Sequence, residues 1–299
     1  MDKKELRATI FIFLTALIWG VAFTFQIVGM ESMGPLTYNG VRFLIASISL
    51  IPVIAIIDRS FPSKEERKTL IKYGSLCGLV LFIAGNLQQV GMMHDGSAGK
   101  AGFITSLYII IVPLFTLFAG KKPGMLLWIG AFLSLIGIYF ISWTGGFSSF
   151  TIGDGLLFAC AVFFALHIIV VGISVEKVKS PIQLSFVQFL VSGSITTLLA
   201  LFTEDITFAG LKAGFIPLIY GGVISSGIAY TLQVVGQKHV PPTRAAIIFS
   251  LESFFAVLGA AIIIGESMTT RGYVGCAFIF TGVVISQLKI SRKKKTDMI

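Results

Sequence analysis

Apolar runs of about 20 residues recur along the whole chain, and no other feature limits its fold as strongly. A helix needs a run of about this length to cross the hydrocarbon core of a bilayer, which is about 30 Å thick. Charged residues make up only 12% of the 299 residues, whereas roughly a quarter is usual in soluble domains. The sequence therefore predicts an all-α integral membrane protein.

Ten of these runs are long enough to span a bilayer, and no soluble domain fits between them. The first follows three basic residues and mimics a signal peptide, but its apolar stretch is too long and no small-x-small cleavage site follows it. We expect it to remain as span 1. The ten spans lie approximately at residues 8–29, 35–57, 70–92, 99–119, 124–143, 153–174, 181–202, 213–236, 243–264 and 271–288.

Lys and Arg residues are distributed unevenly between the two ends of the predicted spans. With the N-terminus inside, nineteen of the 23 fall on the cytoplasmic side, Lys100, Lys212 and Arg271 fall outside, and Arg42 lies within span 2. Positive residues near span ends stay cytoplasmic, so we predict a multi-pass protein of the cytoplasmic membrane with both termini cytoplasmic. The basic run "SRKKK" at 291–295 follows the last span, so anionic lipid headgroups, and not nucleic acid, are its expected partner.

The two halves of the chain resemble each other at an offset of about 145 residues. The matching stretches include "LQQVGMMH" at 87–94 with "LQVVGQKH" at 232–239, "TSL" at 105–107 with "FSL" at 249–251, and "GAFLSLIG" at 130–137 with "GCAFIFTG" at 275–282. Each half has five spans, an odd number, so the second half must enter the membrane in the opposite orientation. We therefore predict ten transmembrane helices in two inverted five-helix repeats. Their predicted bounds are 1–146 and 147–299, with a basic cytoplasmic tail on the second.

The residues also resemble a known family. The segments that carry the resemblance are "ALIWGVAF" at 16–23, "GPLTYNGVRFLIA" at 34–46, "SAGKAGFITSLYIIIVPL" at 97–114, "GDGLLFACAVFFALHIIV" at 153–170 and "PPTRAAIIFSLESFFAVLGAAIIIGE" at 241–266. The chain is similar to the EamA-type ten-helix transporters of the drug/metabolite transporter superfamily. This resemblance implies an inverted-repeat fold in the cytoplasmic membrane and movement of small metabolites, often outward and often coupled to ions.

The chain also departs from the family pattern. The first repeat has "AGKKP" at 119–123 where the second has "IGES" at 264–267, so the Gly-Glu pair occurs once. Tyr108 occupies the position of the first repeat that aligns with Glu252 in the second. The two halves are therefore not chemically equivalent.

Glu252 is the one carboxylate in the run "AAIIFSLESFFAVLGAAIII" at 245–264. It lies nine residues into span 9, roughly 13 to 14 Å deep, which is close to the membrane midplane. One interpretation is a carboxyl that is hydrogen-bonded between packed helices and fixes their register. The other is a substrate ligand and proton-coupling residue, because a partly buried carboxyl can load and release a proton or a cation.

Several other polar or aromatic residues inside the spans are candidate substrate-binding residues. Trp19 and Tyr108 share the depth of Glu252, where an interfacial aromatic belt does not explain them. His167 in span 6 is either a titrating ligand or a packing histidine. Two pairs of residues lie three apart on one helix face: Asn86 with Gln89, and Tyr230 with Gln233. Such side chains either line a gate or hydrogen-bond a neighbouring helix.

Arg42, about seven residues inside span 2, either extends to the outer surface or pairs with a polar group such as Asn39. Its resemblance to the family's arginine in this span favours a structural role.

Other chemistries are disfavoured by the sequence. The three cysteines lie inside apolar segments, so neither disulfides nor a metal site is expected. The inversion places His94 and His239 on opposite sides of the membrane. No nucleotide-binding fingerprint occurs in a credible context, no cofactor is expected, and no catalytic constellation indicates an enzyme.

The sequence thus predicts a secondary transporter, most simply an exporter of small organic solutes by alternating access, with possible coupling to protons. Amino acids or related zwitterions are the expected substrate class, since a carboxylate binds an ammonium and aromatic rings receive an apolar or cationic group. The alternatives are an exporter of hydrophobic cations, drugs or nucleosides, and a membrane receptor or assembly partner that moves no solute. One chain contains both halves, so a monomer is sufficient.

Overall fold

The structure, a computed structural model, describes residues 2–59, 62–95, 98–142, 151–263 and 270–288. All regular elements in these ranges are helical: α-helices α1 to α14 and one π-helical segment between α10 and α11. Their bounds are α1 Lys3–Met30, α2 Pro35–Ile57, α3 Lys64–Asp95, α4 Ala98–Thr105, α5 Tyr108–Phe118, α6 Met125–Ser142, α7 Ile152–Ser174, α8 Pro181–Thr203, α9 Phe208–Ala213, α10 Phe215–Ile219, the π-helical segment Tyr220–Tyr230, α11 Thr231–Gln237, α12 Pro242–Phe249, α13 Leu251–Ile263 and α14 Thr270–Gln287.

Each predicted span has a helical counterpart, which confirms the all-α fold. Within the described ranges, eight stretches are long and apolar enough to cross a membrane, and Met125–Phe140 is a shorter apolar helix. The 18-residue α14 is the tenth. Spans 4 and 9 each consist of two helices, and span 8 contains the π-helical segment. The basic tail, the Gly-Glu pair at 265–266 and the boundary at 146 lie outside the described residues.

The packing of the helices repeats itself when the two halves are exchanged. The α1–α13 contact has its counterpart in the contacts of α7 with α4 and α5. The contact of α3 with α7 has its counterpart in the contacts of α1 with the π-helical segment and with α11. The contact of α2 with the π-helical segment has its counterpart in the contact of α3 with α8. Two pairs, α2–α8 and α6–α14, are their own counterparts. This is the arrangement expected of two equivalent halves related by a pseudo-twofold axis.

The α6–α14 contact shows that the second half is inverted. A Cβ atom added to Gly130 would lie 2.6 Å from the carbonyl oxygen of Gly282, and one added to Gly137 would lie 2.5 Å from that of Gly275. Gly130 and Gly137 align with Gly275 and Gly282 respectively in the internal repeat. Because the first glycine of one helix meets the second glycine of the other, the two repeat-related helices run antiparallel. Glycine allows their backbones to approach this closely.

At each end of the α2–α8 pair, an acidic residue of one helix is hydrogen-bonded to the start of the other. Asp58, the C-cap of α2, accepts a hydrogen bond of 2.6 Å from the hydroxyl of Ser180, the N-cap of α8. At the other end Glu204, the C-cap of α8, accepts from the backbone N–H groups of Leu36 and Thr37 at 2.9 and 2.7 Å. Each acid lies at the partner's N-terminus, where the helix dipole favours negative charge.

Candidate functional site

Two spans have a tightened helical turn at corresponding places in the two halves. In span 4, α4 ends at Thr105 and α5 begins at Tyr108; in span 9, α12 ends at Phe249 and α13 begins at Leu251. These turns coincide with the matched stretches "TSL" and "FSL". The hydroxyl of Ser250 donates to the carbonyl of Ile247 at 2.7 Å, the kind of local bond that competes with helix continuation. The backbone stays helical at both places, because Leu107 and Ser250 keep αR angles and i→i−3 hydrogen bonds replace part of the i→i−4 pattern. A short 3₁₀-type stretch within a helix often marks a functional hinge.

A hydrogen bond between Tyr108 and Glu252 connects span 4 to span 9. Glu252 lies in the first turn of α13 and is only 3% exposed. Its Oε1 accepts a hydrogen bond of 2.7 Å from the Tyr108 hydroxyl and one of 3.3 Å from Ser106. Ser106 also shares a 2.7 Å hydrogen bond with Ser253. Since the described residues supply no donor to Oε2, one carboxylate oxygen is held in place and the other is available to a ligand.

A cavity lies between the two halves at this junction. Its empty space, including the part that is open to solvent, is about 360 Å³. Residues of α1 to α5 and residues of α7, α13 and the π-helical segment both contribute to its wall. The lining residues are Trp19, Ala22, Phe23, Gln26, Arg42, Gln88, Thr105, Tyr108, Phe164, Ser225, Tyr230 and Glu252.

One wall of the cavity is aromatic and is positioned by the π-helical segment. The Trp19 ring packs against Tyr230 at a centroid distance of 4.5 Å and against Phe249 at 5.2 Å. The Trp19 indole N–H donates to the carbonyl of Ser225 at 3.2 Å, and the Thr15 hydroxyl donates to that of Ala229 at 3.0 Å. π-Helical turns are frequent at functional sites, and here the segment fixes the orientation of Trp19.

Gly20 explains why α1 can reach the cavity. A Cβ at this position would lie 2.6 Å from the carbonyl oxygen of Glu252 and 2.8 Å from the nitrogen of Ala256. Only a residue without a Cβ allows α1 to pack against the backbone of α13 at this level. The Trp-Gly pair of span 1 therefore combines a wall residue, Trp19, with the contact that brings it to Glu252.

Arg42 lines the same cavity and is 2% exposed. Its Nε donates to Asn39 at 2.7 Å, Asn39 donates to Asn86 at 2.8 Å, and Asn86 donates to Thr196 at 2.9 Å. Its guanidinium carbon lies 4.8 Å from the centroid of the Phe43 ring. The pairing of Arg42 with Asn39 is one of the two alternatives that the sequence left open, and neither of them placed Arg42 at a cavity.

The structure brings together half of the predicted site residues. Trp19, Tyr108, Tyr230 and Glu252 line the cavity, whereas His167, Asn86, Gln89 and Gln233 do not.

The second group is buried in contacts between helices. The Nε2 of His167 lies 3.1 Å from Gln188, and Gln233 donates to Gln237 at 2.9 Å. Both side-chain polar atoms of Gln89 are buried without a hydrogen-bond partner among the described residues. Direct substrate contact by His167, Asn86, Gln89 and Gln233 stays a prediction, since none of the four lines the cavity.

Sequence reasoning missed several polar lining residues, among them Gln26, Gln88, Thr105 and Ser225. Gln88 neighbours Gln89 but lies about 100° away around the helix, and it lines the cavity while Asn86 and Gln89 do not. The signal for Arg42 was its charge inside a span. Among the described residues no group of three or more His, Cys, Asp or Glu side chains is close enough to hold a metal.

A family model described as the EamA-like transporter family matches residues 6–143 and again residues 151–288. The chain belongs to this family. As an EamA-like transporter family member it is a multi-pass membrane protein, and the two matches correspond to the two halves found in the fold.

Relatives of this EamA-like protein come from distant organisms. An uncharacterized transporter of Archaeoglobus fulgidus is 30% identical over 96% of this chain and 88% of its own. The uncharacterized inner membrane transporter YedA of Escherichia coli is 24% identical over 93% and 89%. The uncharacterized transporter YwfM of Bacillus subtilis is 25% identical over 96% of each chain. A solved crystal structure with 16% identity has a TM-score of 0.78 over 94% of this chain and 98% of its own, which shows the fold alone.

Proposed function

We propose that this EamA-like protein is a secondary active transporter that exports small organic metabolites across the cytoplasmic membrane by alternating access. The observation that carries the proposal is Glu252, a buried carboxylate within an apolar span, at a cavity lined by both halves. A site placed between two inverted halves can open to either side when they exchange shapes. The cavity itself therefore supports a carrier over a receptor that moves no solute.

Amino acids or related zwitterions are the proposed substrates. The Oε2 of Glu252 has no donor among the described residues and can accept a substrate ammonium. Trp19, Phe23, Tyr230 and Phe164 line the same cavity and offer a surface for an apolar side chain. The limited volume of the cavity favours a small solute.

Proton coupling would follow from competition at Glu252. Tyr108 and Ser106 hold Oε1 in both cases, so a proton and a substrate ammonium use the same remaining oxygen. A carboxyl that has bound the proton no longer offers a charge to the ammonium. Binding of one therefore releases the other, and the two move in opposite directions across the membrane.

The side on which α1 begins is proposed to be cytoplasmic, as the Lys and Arg distribution predicts. On this side the Arg244 guanidinium and the Glu5 carboxylate form an ion pair of 2.6 Å between the starts of α12 and α1. Both side chains are largely buried, at 20% and 15% exposure. This contact joins the two halves, and opening of the cavity towards the cytoplasm would separate it.

The test uses purified protein in liposomes with an acidic lumen. Proton exit then drives uptake of labelled leucine, phenylalanine or threonine if the carrier exchanges protons for amino acids. We expect wild-type protein to accumulate at least one of them, and the Glu252→Gln variant to lose at least about tenfold in initial rate and all response to the pH gradient.

Glu31→Gln is the matched control, because Glu31 is an exposed acid at the opposite end of α1 from the cytoplasmic contact. It should transport like the wild type. Flux of none of the three amino acids through wild-type protein would contradict the proposed function. Unchanged gradient-driven flux in Glu252→Gln would remove the carboxylate from the coupling.

A further inference from the structure

We infer that Arg42 binds the carboxylate of the substrate and selects zwitterions over cations. The inference rests on the proposed function and adds to it the residue that decides between two substrate classes which Glu252 alone leaves open. The observation that carries it is that one partly open cavity is lined both by a carboxylate and by a guanidinium that has no ion-pair partner among the described residues.

The two charges face a shared space without forming an ion pair. Arg42 and Glu252 are 2% and 3% exposed, and both line the cavity. The ion pairs among the described residues are formed by other side chains: Lys68 with Glu65, Lys179 with Glu66, and Arg244 with Glu5. A buried charge without a counterion is costly, so each of these groups favours a ligand that brings the opposite charge.

The Arg42 side chain is fixed through one of its three nitrogens. Nε donates to Asn39, which is held in turn by Asn86 and Thr196. The described residues provide no acceptor for the two terminal nitrogens. A guanidinium that is anchored at Nε can still present both terminal N–H groups, and the planar fork matches the geometry of a carboxylate.

The balance of charge favours a zwitterion over either half of one. An amino acid supplies an ammonium to Glu252 and a carboxylate to Arg42, so that both buried charges are compensated at once. A simple amine would leave the guanidinium without a counterion, and a simple acid would do the same to Glu252. A ligand that leaves one of the two buried charges without a counterion therefore binds much more weakly than a ligand that compensates both.

A purely structural arginine would need only the contacts already described. The Nε bond to Asn39 and the packing on Phe43 would stabilise α2 without any effect on which solute binds. Selectivity for the carboxylate is therefore the property that separates binding from structure.

The experiment measures binding and flux with three matched pairs of compounds. The pairs are leucine with 3-methylbutylamine, phenylalanine with 2-phenylethylamine, and threonine with 1-aminopropan-2-ol; each amine lacks only the carboxylate. We expect wild-type protein to prefer the amino acid of at least one pair by tenfold or more in affinity, by titration of thermal stability, and in initial rate in liposomes. Arg42→Gln should reduce this preference to about threefold or less by weakening binding of the amino acid, while binding of the amine stays the same or improves.

Two further variants keep the test independent of folding defects. Arg42→Lys retains the positive charge and should retain part of the preference. Asn39→Ala removes the acceptor of the Nε hydrogen bond but leaves the guanidinium, so it should lower stability more than selectivity. If wild-type protein binds and moves the amines as well as the amino acids, or if Arg42→Gln keeps the full preference, the inference is wrong and the proposed transport function stands. If none of the six compounds binds or moves, the proposed function fails and the inference fails with it.

Discussion

At the scale of single residues, the candidate site depends on a few polar atoms that are held in place by others. Glu252 is oriented by Tyr108 and Ser106 through one oxygen, and Trp19 is oriented by the Ser225 carbonyl. These contacts fix the positions of the charge and of the aromatic wall before any ligand arrives. Preorganisation of this kind lowers the entropic cost of binding a small solute.

The Tyr108 hydroxyl can be tested on its own. In Tyr108→Phe, Oε1 of Glu252 keeps only the longer bond from Ser106, and loss of a hydrogen bond to a charged or buried group typically costs about 1 to 3 kcal/mol. We expect a lower melting temperature and a several-fold lower rate of amino acid flux. Tyr273→Phe is the control, since Tyr273 is 64% exposed, and it should change neither measurement. Identical stability and flux in Tyr108→Phe would show that the hydroxyl does not hold the carboxylate.

At the scale of elements, close backbone contacts decide where the cavity walls lie. α1 approaches α13 through Gly20, and α6 approaches α14 through Gly130 and Gly137. The tightened turns of spans 4 and 9 also contribute, because they lie next to Tyr108 and Glu252, which line the cavity. Glycine contacts and these turns together set the positions of the side chains.

The contact at Gly20 leads to a prediction with an internal control. Gly20→Ala would force apart α1 and α13, since the new methyl group would overlap backbone atoms of Glu252 and Ala256. We expect a loss of about 1 to 3 kcal/mol in stability, the usual effect of overpacking, together with reduced flux. Gly155→Ala, in α7, meets no atom within 4 Å and should be neutral or slightly stabilising, since alanine favours a helix by about 1 kcal/mol. Thermal unfolding in detergent measures both, and equal melting temperatures would argue against the tight contact.

At the scale of the whole molecule, the fold is close to symmetric while the site is not. The packing pattern maps onto itself when the halves are exchanged, and the internal repeat aligns Tyr108 with Glu252. The exchange therefore replaces the hydrogen-bond donor by the acceptor. Because the acid is present in only one half, we expect a solute bound at the proposed site to have a single preferred orientation.

Exchange of the two side chains tests this asymmetry. Glu252→Tyr alone removes the acid, and we expect it to abolish amino acid flux to the background of empty liposomes. The double variant Tyr108→Glu, Glu252→Tyr should restore the hydrogen bond between spans 4 and 9, with the donor and the acceptor exchanged. It should recover a measurable part of the flux. The measurement is uptake of labelled leucine, phenylalanine and threonine. A double variant as inactive as the single one, but equally well folded, would mean that the halves are not interchangeable at this position.

The sequence predicted the fold, and three residues that it singled out, Trp19, Tyr108 and Glu252, line one cavity. It did not predict which faces of the other helices line that cavity. Span length, loop charge and the repeat are properties of local composition, so they required no knowledge of packing. Depth along a span placed Trp19, Tyr108 and Glu252 at one level for the same reason. Rotation of a helix about its axis is decided by its neighbours, and this is why Gln89 was chosen where Gln88 lines the cavity and why Arg42 was assigned to structure alone.

The antiparallel pair α2 and α8 has a mechanical consequence. Asp58 is hydrogen-bonded to the start of α8 at one end of the pair, and Glu204 is hydrogen-bonded to the start of α2 at the other end. A shift of either helix along its axis by one residue would break the hydrogen bonds at both ends. Tilting or turning the pair as one body leaves them intact. Under the proposed alternating access, we therefore expect α2 and α8 to move as one rigid unit relative to the other helices.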